Sequence, residues 1–359
     1  MSSVPTRVRH GLRLVAILGA GALLLASCAS TPAASQHLSG TPALSISVPL
    51  SSVGCTLNNV CVAVGTSSAS VGPTSVGEFS TSRGHWLGLA LPSAPTPIIT
   101  SIACSLNSCL AGGSQPGRDL LWRFDATNHA VSTATPPSGG LGVNALNCSE
   151  LNCALVDTSA HDGVPRFSFS ADDGVTWTNP LTMSWAKGDT ITALACGAVF
   201  DCLVGALSAH HRFVLYVTRD GGVTWNQRST SSAWTSMTSL SCAQLHCVAL
   251  ASTAHSSELI RSNTFARAWT SVSLGQRATA LACWTLTSCV VVGQRSNATP
   301  WLATVNSGAP VNATLRYVPT PLLGVACGTK RCAAIGVTTV VDVPLTAPRS
   351  TQGTLLPQL

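Results

Sequence analysis

Charge is what this sequence has least of. Only 9% of its 359 residues are charged, and it holds 13 acidic side chains, two lysines and two tyrosines. Chemistry that needs several carboxylates or phenols therefore has few residues to draw on. A formal net charge of +6 is also too small for the electrostatic footprint of a nucleic-acid binder. The apolar run "LVAILGAGALLL" at 14–25 has twelve residues, too few to span a bilayer comfortably. What the chain does have is apolar surface: 45% hydrophobic residues are enough to bury a large core or several packed units, which rules out disorder away from the ends.

Fifteen cysteines is an unusual number, and an odd one. The N-terminus accounts for one of them. Arg7, Arg9 and Arg13 form a positive n-region, the apolar run follows, and "LASC" ends at Cys28. This arrangement resembles the bacterial lipobox, and the resemblance implies a thioether-linked diacylglycerol on Cys28 with the signal peptide 1–27 cut away. The mature chain would then sit on the outer face of the membrane, held there by its lipid. Residues 28–42, small, polar and Pro-containing, read as a flexible tether, and 43–359 as the folded domain. Loss of three basic residues with the signal lowers the charge to 16 − 13 = +3, and export argues independently against nucleic acid.

The other fourteen cysteines fall into seven pairs, Cys55/Cys61, Cys104/Cys109, Cys148/Cys153, Cys196/Cys202, Cys242/Cys247, Cys283/Cys289 and Cys327/Cys332. Each pair has an aliphatic residue two positions before its first cysteine. First cysteines are spaced 49, 44, 48, 46, 41 and 44 residues apart, close to the length of one four-stranded propeller blade. Residues 99–137 show the pattern of one unit: "ITSIAC", "CLAGG", "DLLWRF" and "AVSTATPP" as strands, with Gly, Pro and Ser at the turns. The fold expected is all-β, a seven-bladed propeller of four-stranded antiparallel blades. The last repeat lacks a good fourth strand, so "ALSISVPL" (43–50) is expected to complete it and leave no open edge, with the C-terminal "GTLLPQL" as competitor.

Fourteen cysteines allow on the order of 10⁵ pairings, but only pairing within the repeat gives every copy the same environment. Directly opposed residues of a hairpin lie close enough for a disulfide, and oxidation is permitted outside the membrane. A metal site would need further ligands at each pair, and the nine histidines do not recur with the repeat; His210, His211 and His246 cluster only loosely. A redox pair would want C-x-x-C at a helix start, and no helix is evident. One disulfide hairpin per blade is expected, and no metal or cofactor.

About twenty residues beyond the cysteines run two further copies of a motif, "SADDGVTW" (Ser170, Asp172, Gly174, Trp177) and "TRDGGVTW" (Thr218, Asp220, Gly222, Trp225). Weaker copies without the aspartate are "STSRGHW" from Ser80, "SNTFARAW" from Ser262 and "TVNSGAPV" from Thr304. These resemble the Asp box of the bacterial neuraminidase repeat propellers. The residue types explain themselves locally: aspartate accepts from turn amides, glycine supplies positive φ, and tryptophan packs the turn on its blade. They are read as scaffold, not as catalytic groups.

The resemblance reaches two functional classes. Sialidases and other Asp-box glycosidases need a carboxylate pair or a tyrosine nucleophile with an arginine cluster. Here only Tyr216 and Tyr317 are phenols, no acid pair stands out, the Arg-Ile-Pro signature is missing, and seven repeats exceed the six blades of sialidases. The seven-bladed relatives that resemble photosystem II stability and assembly factors are non-catalytic scaffolds, and the expectation follows them: a monomeric, membrane-anchored propeller presenting loops to a protein or glycan partner. Exposure of Trp122, Trp185, Trp234, Trp284 and Trp301 along one face would favour sugar; an arginine-rich channel, drawn from 17 arginines, would favour an acidic partner.

Overall fold

The computed structural model describes residues 44–45, 49–69, 72–80, 85–92, 94, 97–228, 230–285, 288–295, 297–306, 310–313 and 321–345. All of them belong to one compact unit, Gln36–Leu359. Cys28, the signal peptide, the tether, Tyr317 and "GTLLPQL" lie outside the described residues.

The chain forms seven four-stranded antiparallel sheets, six of them in sequence order. These are blades 1 to 7, with residues 52–88, 98–133, 140–182, 190–228, 236–273, 277–313 and 322–344. In blade 2 the strands are Ile98–Cys104, Ser108–Gln115, Arg118–Asp125 and Val131–Thr133, the pattern read from the sequence with a shorter fourth strand. The first strands of all seven blades touch their neighbours in an unbroken ring, blade 7 meeting blade 1, so they surround the central axis. Blade 7 takes its outer strand from the other end of the described chain: Leu44 pairs with Val340 and Ser45 with Thr339. The N-terminal strand thus closes the ring.

Burial follows from this geometry. Seven hydrophobic clusters each fill the gap between two neighbouring blades, from Val62 and Trp122 between blades 1 and 2 round to Val53 and Ile335 between blades 7 and 1. A blade buries both of its sheet faces, which is why second strands such as "CLVGAL" in blade 4 are apolar throughout rather than alternating.

All seven cysteine pairs are disulfides within a blade, and each pair sits directly opposed at the end of the first hairpin with Cα atoms 3.9 to 4.1 Å apart. One step beyond the cysteines the backbone closes the turn: Ser105 N donates to Ser108 O, and Gly197 N to Asp201 O. Cysteines therefore occupy the non-hydrogen-bonded position, where opposed side chains come closest. Since every first strand runs toward its disulfide, all seven lie on one face of the disc. The crossovers between blades and the turns between second and third strands lie on the other.

The two cysteines of a pair, equivalent in the sequence pattern, are not equivalent in the fold. Cys61, Cys109, Cys153, Cys202, Cys247, Cys289 and Cys332 are at most 1% exposed, so as surface or reactive positions these seven are excluded and belong to the core. Their partners Cys104, Cys148, Cys196, Cys242, Cys283 and Cys327 are half-buried. The second cysteine opens the second strand, which has a strand on either side and a neighbouring blade over each face. The first cysteine ends the strand that borders the central axis. The half-cystine on the second strand thus staples the hairpin and also packs between blades, in one cluster with residues such as Leu110 and Ala333.

Candidate binding site

The two box motifs fold into nearly identical turns on the disulfide face. Ser170 Oγ donates to Asp172 Oδ1 and accepts from Gly174 N, while Asp172 accepts from the amide and hydroxyl of Thr176. Thr218, Asp220, Gly222 and Thr224 repeat each bond, and the Trp225 indole adds one to Gly222 O. Gly174 and Gly222 take φ of 77° and 93°. Outweighing the effect of burial, the hydrogen bonds from Thr176 and Thr224 hold the Asp172 and Asp220 carboxyls below the ordinary carboxylate range. In "SNTFARAW" Thr264 replaces the aspartate and Ala266 the glycine, yet Ala266 N still donates to Ser262 Oγ and Ala268 N to Thr264 Oγ1. Both carboxylates are thus engaged by their own turns.

Sequence reasoning left the neighbour of Asp172 out of account. Asp173, 6% exposed, reaches into blade 2, where Arg123 Nη2 donates to it at 2.7 Å and Ser108 Oγ donates as well. The turn is therefore also a clasp between blades.

The face opposite the disulfides carries two clefts. The larger, about 1060 Å³, lies between blades 5 and 6. Its walls are the turn Thr253–Ser256, the crossover through Gln276 to Arg277, and the turn holding Arg295 and Ala298. The frame is rigid: buried Ser257 donates its amide to Gln276 O and accepts from Ala278 N, and the Trp301 indole holds Arg277 O at 3.0 Å. Gly293 lets the strands meet, since a Cβ there would stand 2.3 Å from Arg277 O. Arg277, Arg295 and His255 are exposed in it, six hydroxyl residues line it, and no described lining residue is acidic. Gln276 Oε1 is buried without a hydrogen-bond donor. Positive charge, hydroxyls and an open mouth suit an anionic, polyhydroxylated or peptide ligand.

The smaller cleft, about 410 Å³, lies between blades 2 and 3. At its base Arg166 donates Nε and Nη2 to the two oxygens of buried Asp157, at 2.8 and 2.7 Å, and Nη1 to Ser138 O. Asp119, 3% exposed, lies against Asp157. Burial first, then the charge of Asp157 and the hydrogen bond between the two, push the Asp119 carboxyl up to about 7. The fold brings together two carboxyls that stand far apart in the sequence. Their contact leaves no room for a glycosidic bond, which needs carboxyls roughly 5 Å or more apart.

Other expected groups are dispersed. Tyr216 is 8% exposed and its phenol donates to Asp189 Oδ2 at 3.1 Å. Burial and the Asp189 charge push it up to about 12, far from a nucleophile's range. Trp122, Trp234 and Trp301 are buried; Trp284 is half-buried between blades 6 and 7, and Trp185 stacks on Tyr216 at the rim. The tryptophans thus form no sugar-stacking row. His210 and His211 lie in the second turn of blade 4, whereas His246 adjoins a disulfide on the other face, so the three do not cluster: the hairpin between them reverses the chain. In the first strands, which border the channel, the only arginine is Arg277, and it lines the cleft between blades 5 and 6. In six blades a bulge falls at the same point of the first strand, and Thr100 and Thr279 there donate both across their own hairpin and to Val143 O and Leu322 O of the next blade.

By sequence the chain matches no described protein family and no curated protein. By structure it is similar to YCF48 bound to D1 peptide (12% identity, TM-score 0.62, covering 86% of this chain and 99% of that one). It is similar also to virginiamycin B lyase from Staphylococcus aureus (9% identity, TM-score 0.60, 85% and 98%). A family 74 xyloglucanase from Xanthomonas campestris is a third (13% identity, TM-score 0.59, 86% of this chain and 55% of that one). What the three share with this chain is the fold, a seven-bladed β-propeller.

Proposed function

We propose that this chain is a non-catalytic binding propeller of the Asp-box class, held on the outer face of the membrane by a lipid on Cys28. The face opposite the disulfides meets the partner, and an acid-bearing segment of that partner, peptide or glycan, enters the cleft between blades 5 and 6. The observation that carries this is the pairing of Arg277, Arg295 and His255 with hydroxyls in a cleft whose described walls hold no carboxylate. The peptide held by YCF48 supports a protein partner, and the rigid disulfide-bonded frame suits a docking surface. A glycoside hydrolase is the second reading, favoured by the similarity to the xyloglucanase. Its requirement of two separated carboxylates is met neither by the Asp119–Asp157 contact nor by the aspartates bound into turns.

The test is capture from native membranes with the wild-type chain and with Arg277→Glu/Arg295→Glu. Wild type should retain a partner that the double variant loses. Equal capture by both would remove the cleft from the proposal, and hydrolysis of a panel of glycosides by the purified chain would replace binding by catalysis.

A further inference from the structure

The disulfide face has a feature that neither its cysteines nor its boxes require. At the tips of the hairpins of blades 1 to 5 stand Leu57, Leu106, Leu151, Phe200 and Leu245, between 40 and 58% exposed. Val175 and Val223, at 56 and 71%, extend the same surface from the box turns of blades 3 and 4. Hairpin tips need no apolar residue for their own folding, since turns favour small polar ones. Yet such a residue stands between the cysteines of each of these five hairpins, and the first two tips are tied together: Leu57 N donates to Ser105 O, and Asn58 Nδ2 to Asn107 Oδ1. On blade 7 stands exposed Lys330, whose amide donates to Asn59 Oδ1. The result is an arc of separated apolar tips over blades 1 to 5, with exposed Glu150 beside Leu151 and the Lys330 ammonium beyond its end. Such an arc matches a flat apolar boundary.

The direction of the chain names that boundary. Pro344, opposite Arg331, lies at the disulfide face, and Thr339 at the other. The strand Leu44–Ser45 runs antiparallel to 339–344, its two residues opposite Val340 and Thr339 at the end away from the disulfides. Between Cys28 and Leu44 lie 15 residues, 29–43, an extended reach on the order of 50 Å. A lipid on Cys28 is therefore within reach of the disulfide face.

We infer that the disulfide face of the propeller docks on the lipid bilayer, its five hairpin tips entering the headgroup boundary and Lys330 pairing with lipid phosphate. The partner-binding clefts then point away from the membrane. The inference rests on the reading of Cys28 as the anchor. Apolar tips gain by leaving water, while the lysine keeps its ammonium at the polar level.

The two lysines of the chain report on it directly. Lys330 lies on the disulfide face; Lys187 is exposed on the opposite one, next to Gly188, where an added Cβ would meet Ala209 of the second turn of blade 4. The protein purified from membranes is placed in phosphatidylcholine/phosphatidylglycerol vesicles or in detergent, and a water-soluble amine reagent is applied. On vesicles Lys330 should react several-fold more slowly relative to Lys187. Replacing Leu57, Leu106, Leu151 and Leu245 by Ser should restore its rate, and Leu151→Ser alone should do so in part. Equal rates at both lysines on vesicles would overturn the inference. So would protection that persists in detergent and grows with protein concentration, the sign of a second copy on this face. The mass of the Cys28 peptide tests the anchor separately: an acylated peptide with an unprotected Lys330 sinks the docking alone. A bare Cys28 with a protected Lys330 sinks the anchor alone.

Discussion

Gly222 in the box turn of blade 4 lies under the ring of Phe167 in blade 3, so close that a Cβ on it would stand 2.4 Å from Cδ1 of the ring. Gly174 in blade 3 stands in the same relation to Leu110 of blade 2, at 2.3 Å. Each box glycine is thus fixed twice, by its positive φ and by the preceding blade's core. Gly222→Ala should destabilise the propeller by about 2–4 kcal/mol, the sum of a left-handed alanine and an overpacked phenylalanine. Chemical denaturation measures it. In Gly222→Ala/Phe167→Leu the packing part should be relieved while the backbone part remains.

The disulfides close short loops. Cys104→Ser/Cys109→Ser opens a loop of six residues, for which chain entropy alone gives roughly 2 kcal/mol. Cys109 is 1% exposed, and an unpaired serine hydroxyl there adds to the cost. The same holds at Cys61, Cys153, Cys202, Cys247, Cys289 and Cys332, all equally buried, so serine on the second strand should cost more than serine on the first. Each of the seven bonds should behave alike, since each has the same register, and full reduction should lower the thermal midpoint by much more than any single pair. A midpoint unchanged on reduction would show the hairpins to be held by packing alone.

Much of this molecule was legible because it repeats. The spacing of Cys55, Cys104 and their successors carried blade length, number and cysteine pairing together, and the poor fourth strand of the last repeat pointed to Leu44–Ser45 as the closing strand. What escaped was whatever lies between blades. Asp119 meets Asp157, Arg123 meets Asp173, and Thr100 meets Val143 across intervals that carry no local pattern. The different burial of Cys104 and Cys109 escaped too, because it depends on which strand lies toward the axis. The cleft of Arg277 and Arg295 was hidden for the same reason: its walls come from two turns and a crossover. One signal was present unread, a hydroxyl or amide four residues before the first cysteine in six of the repeats, from Ser51 to Thr279. In Thr100 and Thr279 that side chain binds the next blade.

Thr279→Val isolates this bond. The substitution keeps the shape and removes a hydroxyl that donates to Leu322 O at 2.7 Å, leaving two carbonyls short of a donor. A loss of about 1–2 kcal/mol is expected, larger than for an exposed threonine such as Thr270. Amide exchange should quicken in the first strands of blades 6 and 7 before it does elsewhere.

The raised pKa of Asp119 makes stability depend on pH. An ordinary aspartate ionises near 3.8 in the unfolded chain, whereas burial and Asp157 push Asp119 up to about 7 in the fold. Between these values the folded state holds a proton that the unfolded state has lost, so stability is full below about pH 4, falls as pH rises toward 7, and levels off above it. The swing is on the order of a few kcal/mol. Asp119→Asn keeps a donor toward Asp157 at every pH, and should match or exceed wild type above pH 7 while showing little of its decline. Gly140→Ala attacks the same pair from below, since a Cβ there would stand 1.8 Å from Asp119 Oδ2 and force the carboxyl away. It should lower stability most under acid conditions, where the proton on Asp119 contributes most. Denaturation midpoints from pH 4 to 9 for the three proteins settle it: parallel curves for wild type and Asp119→Asn would mean that the proton is not held at this contact.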